Sequence, residues 1–190
     1  MAYLFVIFVF CKFILHISCL VPSDNEKLSW MIGRWRSEFS GKVVWPTIPT
    51  MTFGEEIEIG HGYDAFIDDN KVHFLNFTAK AWSHTNKDQF HSEWGHLTAN
   101  RQGQVTLMTS GGNGFAKYEV GSFVGNDKII LNLKDIGRIS FSRDLPVEDL
   151  RRTFVKVGDN YMEQILEMRT ATHPETGLLR HSKVVYSKIK

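Results

Sequence analysis

Cysteine is nearly absent: the only two, Cys11 and Cys19, fall within the first 20 residues, so residues 21–190 carry no thiol. That part of the chain has no disulfide framework, no Cys-ligated zinc or iron–sulfur site, no thiol nucleophile and no Cys-x-x-Cys-His attachment for a covalent haem. Charge of one sign is also missing. Lys and Arg number 22 against 21 Asp and Glu, for a formal +1, and no run of five like charges occurs, so nucleic-acid binding has no electrostatic support. Beyond the N-terminal segment no stretch approaches the roughly 18 apolar residues that span a bilayer. A Gly-x-Ser-x-Gly elbow is absent as well, which removes the usual support for a Ser-His-Asp hydrolase.

What is present begins with an apolar leader. Leu4 to Phe10 is uninterrupted, and Ile17-Ser18-Cys19 ends in small residues. Residues 1–20 thus resemble a secretory signal peptide, although no base precedes Leu4 and Lys12 interrupts the apolar run. The expectation is a secreted or secretory-pathway protein with no membrane span in the mature chain, and a cytoplasmic one if the leader is not a signal. Asn76-Phe77-Thr78 is a glycosylation sequon, but its setting, Phe74-Leu75-Asn76-Phe77, looks like a strand core.

The remainder is bulky and aromatic, with fourteen Phe and five Trp, so a large interior is available. Ser23-Asp24-Asn25-Glu26 opens a short helix that Gly33 stops. From Arg34 on, helical periodicity gives way to alternation over 52–59, 71–82, 90–97, 104–109, 115–123, 128–133, 138–142, 150–157, 161–172 and 179–190. Turn signals separate these runs, among them Asp68-Asp69-Asn70, Gly111-Gly112-Asn113-Gly114 and Gly158-Asp159-Asn160. About ten strands at hairpin spacing predict an all-β antiparallel meander, and a sheet that long closes into a barrel to hide its edges. Residues 40–50, with Pro46 and Pro49, read equally as a lid or an ordinary connection. Phe74, Phe77, Trp82, Phe141 and Phe154 read as core, and Glu55, Glu56 and Glu58 as an outer face and edge.

Leu28-Ser29-Trp30-Met31-Ile32-Gly33-Arg34-Trp35, Trp45-Pro46-Thr47, Phe53-Gly54-Glu55-Glu56, Leu75-Asn76-Phe77 and Arg138-Ile139-Ser140-Phe141-Ser142 follow one another in an order that resembles the nitrobindins. That family includes the C-terminal haem domain of a vertebrate THAP-family protein and free-standing bacterial and plant members. The resemblance covers residues 27–190 as one domain. It implies a ten-stranded closed barrel, similar to the lipocalins and fatty-acid-binding proteins, holding haem b without covalent attachment. It further implies a ferric iron that binds nitric oxide, and a peroxynitrite isomerase activity that needs no protein acid or base.

By the same resemblance His181 is the iron ligand, five residues before Tyr186 as in the family. Thr47 would touch the haem from the Pro-Thr loop, and Met168 would line the slot. The chain departs from the pattern at Ser37 and Phe39, where glycines of the family signature would fall. It departs again in a longer turn before His181, and at Ser182, where Leu is common.

The residues taken alone leave more open. A lone strand histidine is usually just hydrogen-bonded, and His91 and His96, five apart, point to opposite faces and cannot share a metal. Alternation also puts Lys183 on the His181 face, unless that strand is bulged or the lysine stands at the barrel mouth, where a propionate could meet it. The alternative function is a carrier of a fatty acid or other lipophile, with Arg138 and Tyr186 as carboxylate partners. Homodimerisation is left open.

Overall fold

A computed structural model of the chain describes residues 23–46, 48–67, 70–85, 87–141, 147–173, 175 and 177–189. A 3-10 helix, Ser23–Met31, leads into ten strands. These are β1 (Gly33–Trp45), β2 (Ile48–Ile67), β3 (Asn70–Ser83), β4 (Gln89–Ala99) and β5 (Gln104–Gly111), then β6 (Phe115–Val124), β7 (Lys128–Arg138), β8 (Val147–Lys156), β9 (Tyr161–Thr170) and β10 (Leu179–Ile189). Each pairs antiparallel with the next, and β1 pairs with β10, as in Arg34 with Ile189 and Val43 with Ser182. The expected closed barrel is thereby realised, with no open sheet edge. Among the described residues no helix is long and apolar enough to cross a membrane.

Period two sorts the interior. Along β2, Phe53, Glu55, Ile57 and Ile59 are buried, while Glu56 and Glu58 face out beside Arg34 and Arg36. Glu55 therefore belongs to the interior, not to the outer face the sequence suggested. Gly33, at φ +137°, turns the helix into β1 where an L side chain would be strained. The helix closes one end of the barrel. Buried Asn25 donates to the His73 carbonyl at 2.8 Å and accepts the Ala99 amide at 2.8 Å, while Leu28 and Met31 join a core of Trp35, Ile57, Leu75, Phe77, Leu97, Leu107, Leu131 and Phe154.

Several expectations fall here. Phe77 and Phe154 are core, but Phe141 is 80 % exposed. Trp82 faces outward, with the Arg36 guanidinium 4.7 Å from its ring, and Phe74 stacks on Tyr63 on the outer wall. Along β3 the inward phase belongs to Leu75, Phe77, Ala79 and Ala81, which puts Phe74 and Trp82 on the opposite face. The expected run 138–142 is not borne out over its described residues: β7 ends at Arg138, and Ile139 to Phe141 are exposed. Of the stretch 40–50, the described residues lie in two long strands paired at Trp45 with Ile48, which is the ordinary connection of the two readings.

Candidate haem site in the barrel mouth

His181 stands at the end of the barrel opposite the helix: its neighbour Ser182 pairs with Val43 near the far end of β1, whose other end follows the helix. Pairing along β9 and β10 runs Leu179 with Met168 and Arg180 with Glu167, then skips to Ser182 with Leu166. His181 is the extra residue of a β-bulge. A bulge lets consecutive residues escape strict alternation, so His181 turns inward while Ser182 and Val184 stay buried. Lys183 is released to the outer wall, where it pairs with Glu163 at 2.7 Å. It stands neither on the His181 face nor at the mouth, so the propionate contact has no support.

The His181 ring meets Trp45 edge-on, centroids 5.6 Å apart, and Trp45 meets His173 likewise at 5.7 Å. Nδ1 of His181 is buried with no hydrogen-bond partner among the described residues. Burial, then repulsion by His91, pushes the imidazole's pKa down to about 4. The ring is therefore neutral near pH 7, which is the form that ligates iron. Met168 lies on the inner face, half-buried, paired with Leu179 and Leu150 one register step from the bulge. Thr47 lies outside the described residues.

Beside His181 in the barrel interior is a buried polar cluster that alternation alone did not flag. Arg152 on β8 donates from Nε and Nη2 to Glu119 at 3.0 Å each, from Nη2 to Glu93 at 3.0 Å, and from Nη1 to Gln164 at 3.2 Å. Lys117 also pairs with Glu93. Gln164 donates to the Tyr186 hydroxyl at 3.1 Å, which donates to Glu55 at 2.6 Å. The two cations hold the Glu93 carboxyl well below the usual range against its burial, whereas burial pushes Glu55 up. His91 completes the cluster, its Nε2 3.2 Å from Glu93 Oε1. His96 faces the outer wall between Tyr63 and Phe74, so the two histidines do point apart.

A signal for the cluster was available. Leu150, Arg152 and Phe154 share one phase of β8, as Phe53, Glu55 and Ile57 do on β2, so a charged residue two away from apolar residues on each side marks an inward charge. Of the two residues named for a lipid carboxylate, Tyr186 is interior and Arg138 is exposed, its guanidinium 5.6 Å from the Phe115 ring.

These residues fit a haem. A neutral, inward imidazole with a buried nitrogen meets Trp45 edge-on, on strands that also carry Met168, Leu166, Leu179 and Leu150, and the described residues include no thiol.

Comparison with known proteins agrees. A THAP4-like, haem-binding β-barrel domain matches residues 24–188. The Caenorhabditis elegans protein C28H8.5 is 36 % identical over 90 % of this chain and 58 % of its own length. The human peroxynitrite isomerase THAP4 is 28 % identical over 86 % of this chain and 26 % of its own. The chain thus spans less than two thirds of these relatives. The crystal structure of Rv2717c from Mycobacterium tuberculosis superposes with a TM-score of 0.72 at 26 % identity, covering 90 % of this chain and 99 % of that one. A closed barrel with an inward mouth histidine, matched almost end to end by this domain, establishes that the chain belongs to the THAP4-like haem-binding β-barrel family.

Proposed function

We propose that this protein binds haem b non-covalently through His181, that the bound haem would bind nitric oxide, and that the protein isomerises peroxynitrite to nitrate. The observation that carries this is the bulge at His181, which turns into the barrel mouth a neutral imidazole whose buried Nδ1 has no partner among the described residues. Relatives named peroxynitrite isomerase support the activity.

Haem when bound would supply a Lewis-acidic ferric iron. The chain's residues do the rest. His181 would hold the iron through its imidazole, and Trp45 orients that ring by the edge contact. Met168, Leu150 and Leu179 give apolar walls against a flat ring. Thr47 is proposed as a contact at the haem edge. Nothing in this scheme needs a protein acid or base.

A carrier of fatty acids or other lipophiles is the weaker reading. It needs an interior cation free for a carboxylate, and Arg152 is already taken by Glu119, Glu93 and Gln164, just as the Tyr186 hydroxyl is by Glu55.

The test is a hemin titration of wild-type and His181→Ala protein, following the Soret band and the ferrous nitrosyl spectrum. Wild type binds one equivalent with a defined band, and His181→Ala shows only weak, heterogeneous binding from apolar contact. Identical spectra would exclude His181, and no Soret change in wild type would return the lipophile carrier.

A further inference from the structure

We infer that Glu93 is a tether: clamped by Arg152 and Lys117, it holds the imidazole of His91 in place and so keeps it from becoming a second iron ligand opposite His181. The inference rests on the haem reading and adds a positioning residue to it. Its consequence is a coordination position left open for a ligand.

The two histidines stand on opposing walls. In the closed ring of ten strands, β10 and β4 are four steps apart through β1, β2 and β3 and six steps apart the other way. They also come to one region of the interior. Glu93 meets Arg152 across the barrel at 3.0 Å, and Arg152 pairs with Leu166, the ladder partner of Ser182 beside the bulge. His91 sits at Glu93, and its charge is felt at His181. His91 and Glu93 share the inward phase of β4 with Leu97 and Ala99.

Two inward imidazoles in one region of the interior are what would fill both axial positions of a haem. Something must hold one back. The backbone at His91 does not, because the β3–β4 pairing is irregular between Ala81 and Trp82, where Ala81 pairs with His91. Its side chain also remains 31 % exposed, so the ring has room to turn.

The restraint is the 3.2 Å contact from Nε2 to Glu93 Oε1. Glu93 is itself immobile: it is 3 % exposed, with Arg152 on Oε2 at 3.0 Å and Lys117 on Oε1. An N–H donated to a buried, doubly clamped carboxylate is a charge-assisted bond inside a low-dielectric interior, where such bonds are strongest. The ionisable groups that act on this ring are Glu93, Glu55 and His181. Of these, only Glu93 lies within bonding distance.

The experiment reads the spin state of the ferric protein after reconstitution of the full chain with hemin, by absorption and electron paramagnetic resonance. Glu93→Asp keeps the charge that Arg152 and Lys117 need but withdraws the carboxylate from His91, and Glu93→Gln keeps the shape but removes the charge. The expected result is a high-spin wild type and a shift to a dominant low-spin, bis-imidazole signal in both variants, reversed when His91→Phe is added to either.

The inference is overturned if the variants, folded by circular dichroism, keep the wild-type spin state. It is equally overturned if wild type is low-spin and becomes high-spin on His91→Phe. A second measurement needs no variant: histidine nitrogen spectra of the wild-type apoprotein should show His91 with a slowly exchanging Nε2 proton, and a freely exchanging one contradicts the tether. A wild type without a His181-dependent Soret band sinks the haem reading and the tether with it. A His181-dependent band with unchanged variants sinks the tether alone.

Discussion

Replacing Arg152 by Met should destabilise this barrel more than almost any other surface-neutral change of similar volume. Arg152 and Glu93 are each 3 % exposed and Glu119 is 0 % exposed. Without the guanidinium, buried Glu119 loses the cation it pairs with, Glu93 keeps Lys117, and the Gln164 oxygen loses its donor. Breaking a buried pair by removing one partner costs about 3–5 kcal/mol, because the partner's charge stays buried and uncompensated. At about 2–4 °C per kcal/mol for a chain this size, the melting temperature should fall by about 6–20 °C.

The pH dependence carries the signature. In wild type the Glu93 carboxyl lies below its unfolded value, so its contribution is present above the unfolded pKa and is lost as pH falls through the folded one. In Arg152→Met the Glu93 carboxyl should rise above its unfolded value, because its burial has lost the largest opposing charge. Its contribution is then present at low pH and lost as pH rises, so the variant's deficit should shrink between pH 8 and pH 5. Urea unfolding at both pH values measures this. A loss under about 1 kcal/mol, or a deficit that grows on acidification, would refute the assignment of Arg152 as the counter-charge of the interior. Adding Glu119→Gln to Arg152→Met should restore part of the stability, since one of the stranded charges is gone.

Three further outcomes are expected. His181 in the apoprotein should titrate by nuclear magnetic resonance near its lowered pKa of about 4. Because the unfolded imidazole takes up its proton first, wild-type stability should drop as pH falls from the ordinary histidine range toward 4, and His181→Leu should flatten that drop; equal slopes would contradict a buried neutral ring. Trp45→Leu should weaken hemin affinity by about tenfold, the size of effect of one lost edge-on aromatic contact, and broaden the Soret band through loss of ring orientation; an unchanged band would show that His181 needs no such support. The leader is proposed to be removed near Cys19 or Leu20, so N-terminal sequencing of cell-derived protein should start close to residue 20, and recovery of Met1 or Ala2 would count against secretion.

Alternation along single strands was enough to determine β2 to β10, the closed barrel and the inward phase of Phe77 and Phe154, because the two-residue period is a property of the local backbone; it gave no run for β1 and a spurious one at 138–142. The same signal held Arg152 between Leu150 and Phe154, and Glu55 between Phe53 and Ile57, where it could have exposed the interior cluster. It misplaced Trp82 and Phe141, since aromatic character alone says nothing about which wall a side chain faces. Only closure of the barrel decided who meets inside it: Glu93 and Arg152 are 59 residues apart, and Glu55 and Tyr186 are 131 apart. The orientation of His181 was likewise beyond the sequence. Its bulge exists because β9 supplies one residue fewer than β10 at that point, and a mismatch between two paired strands is written in neither strand by itself.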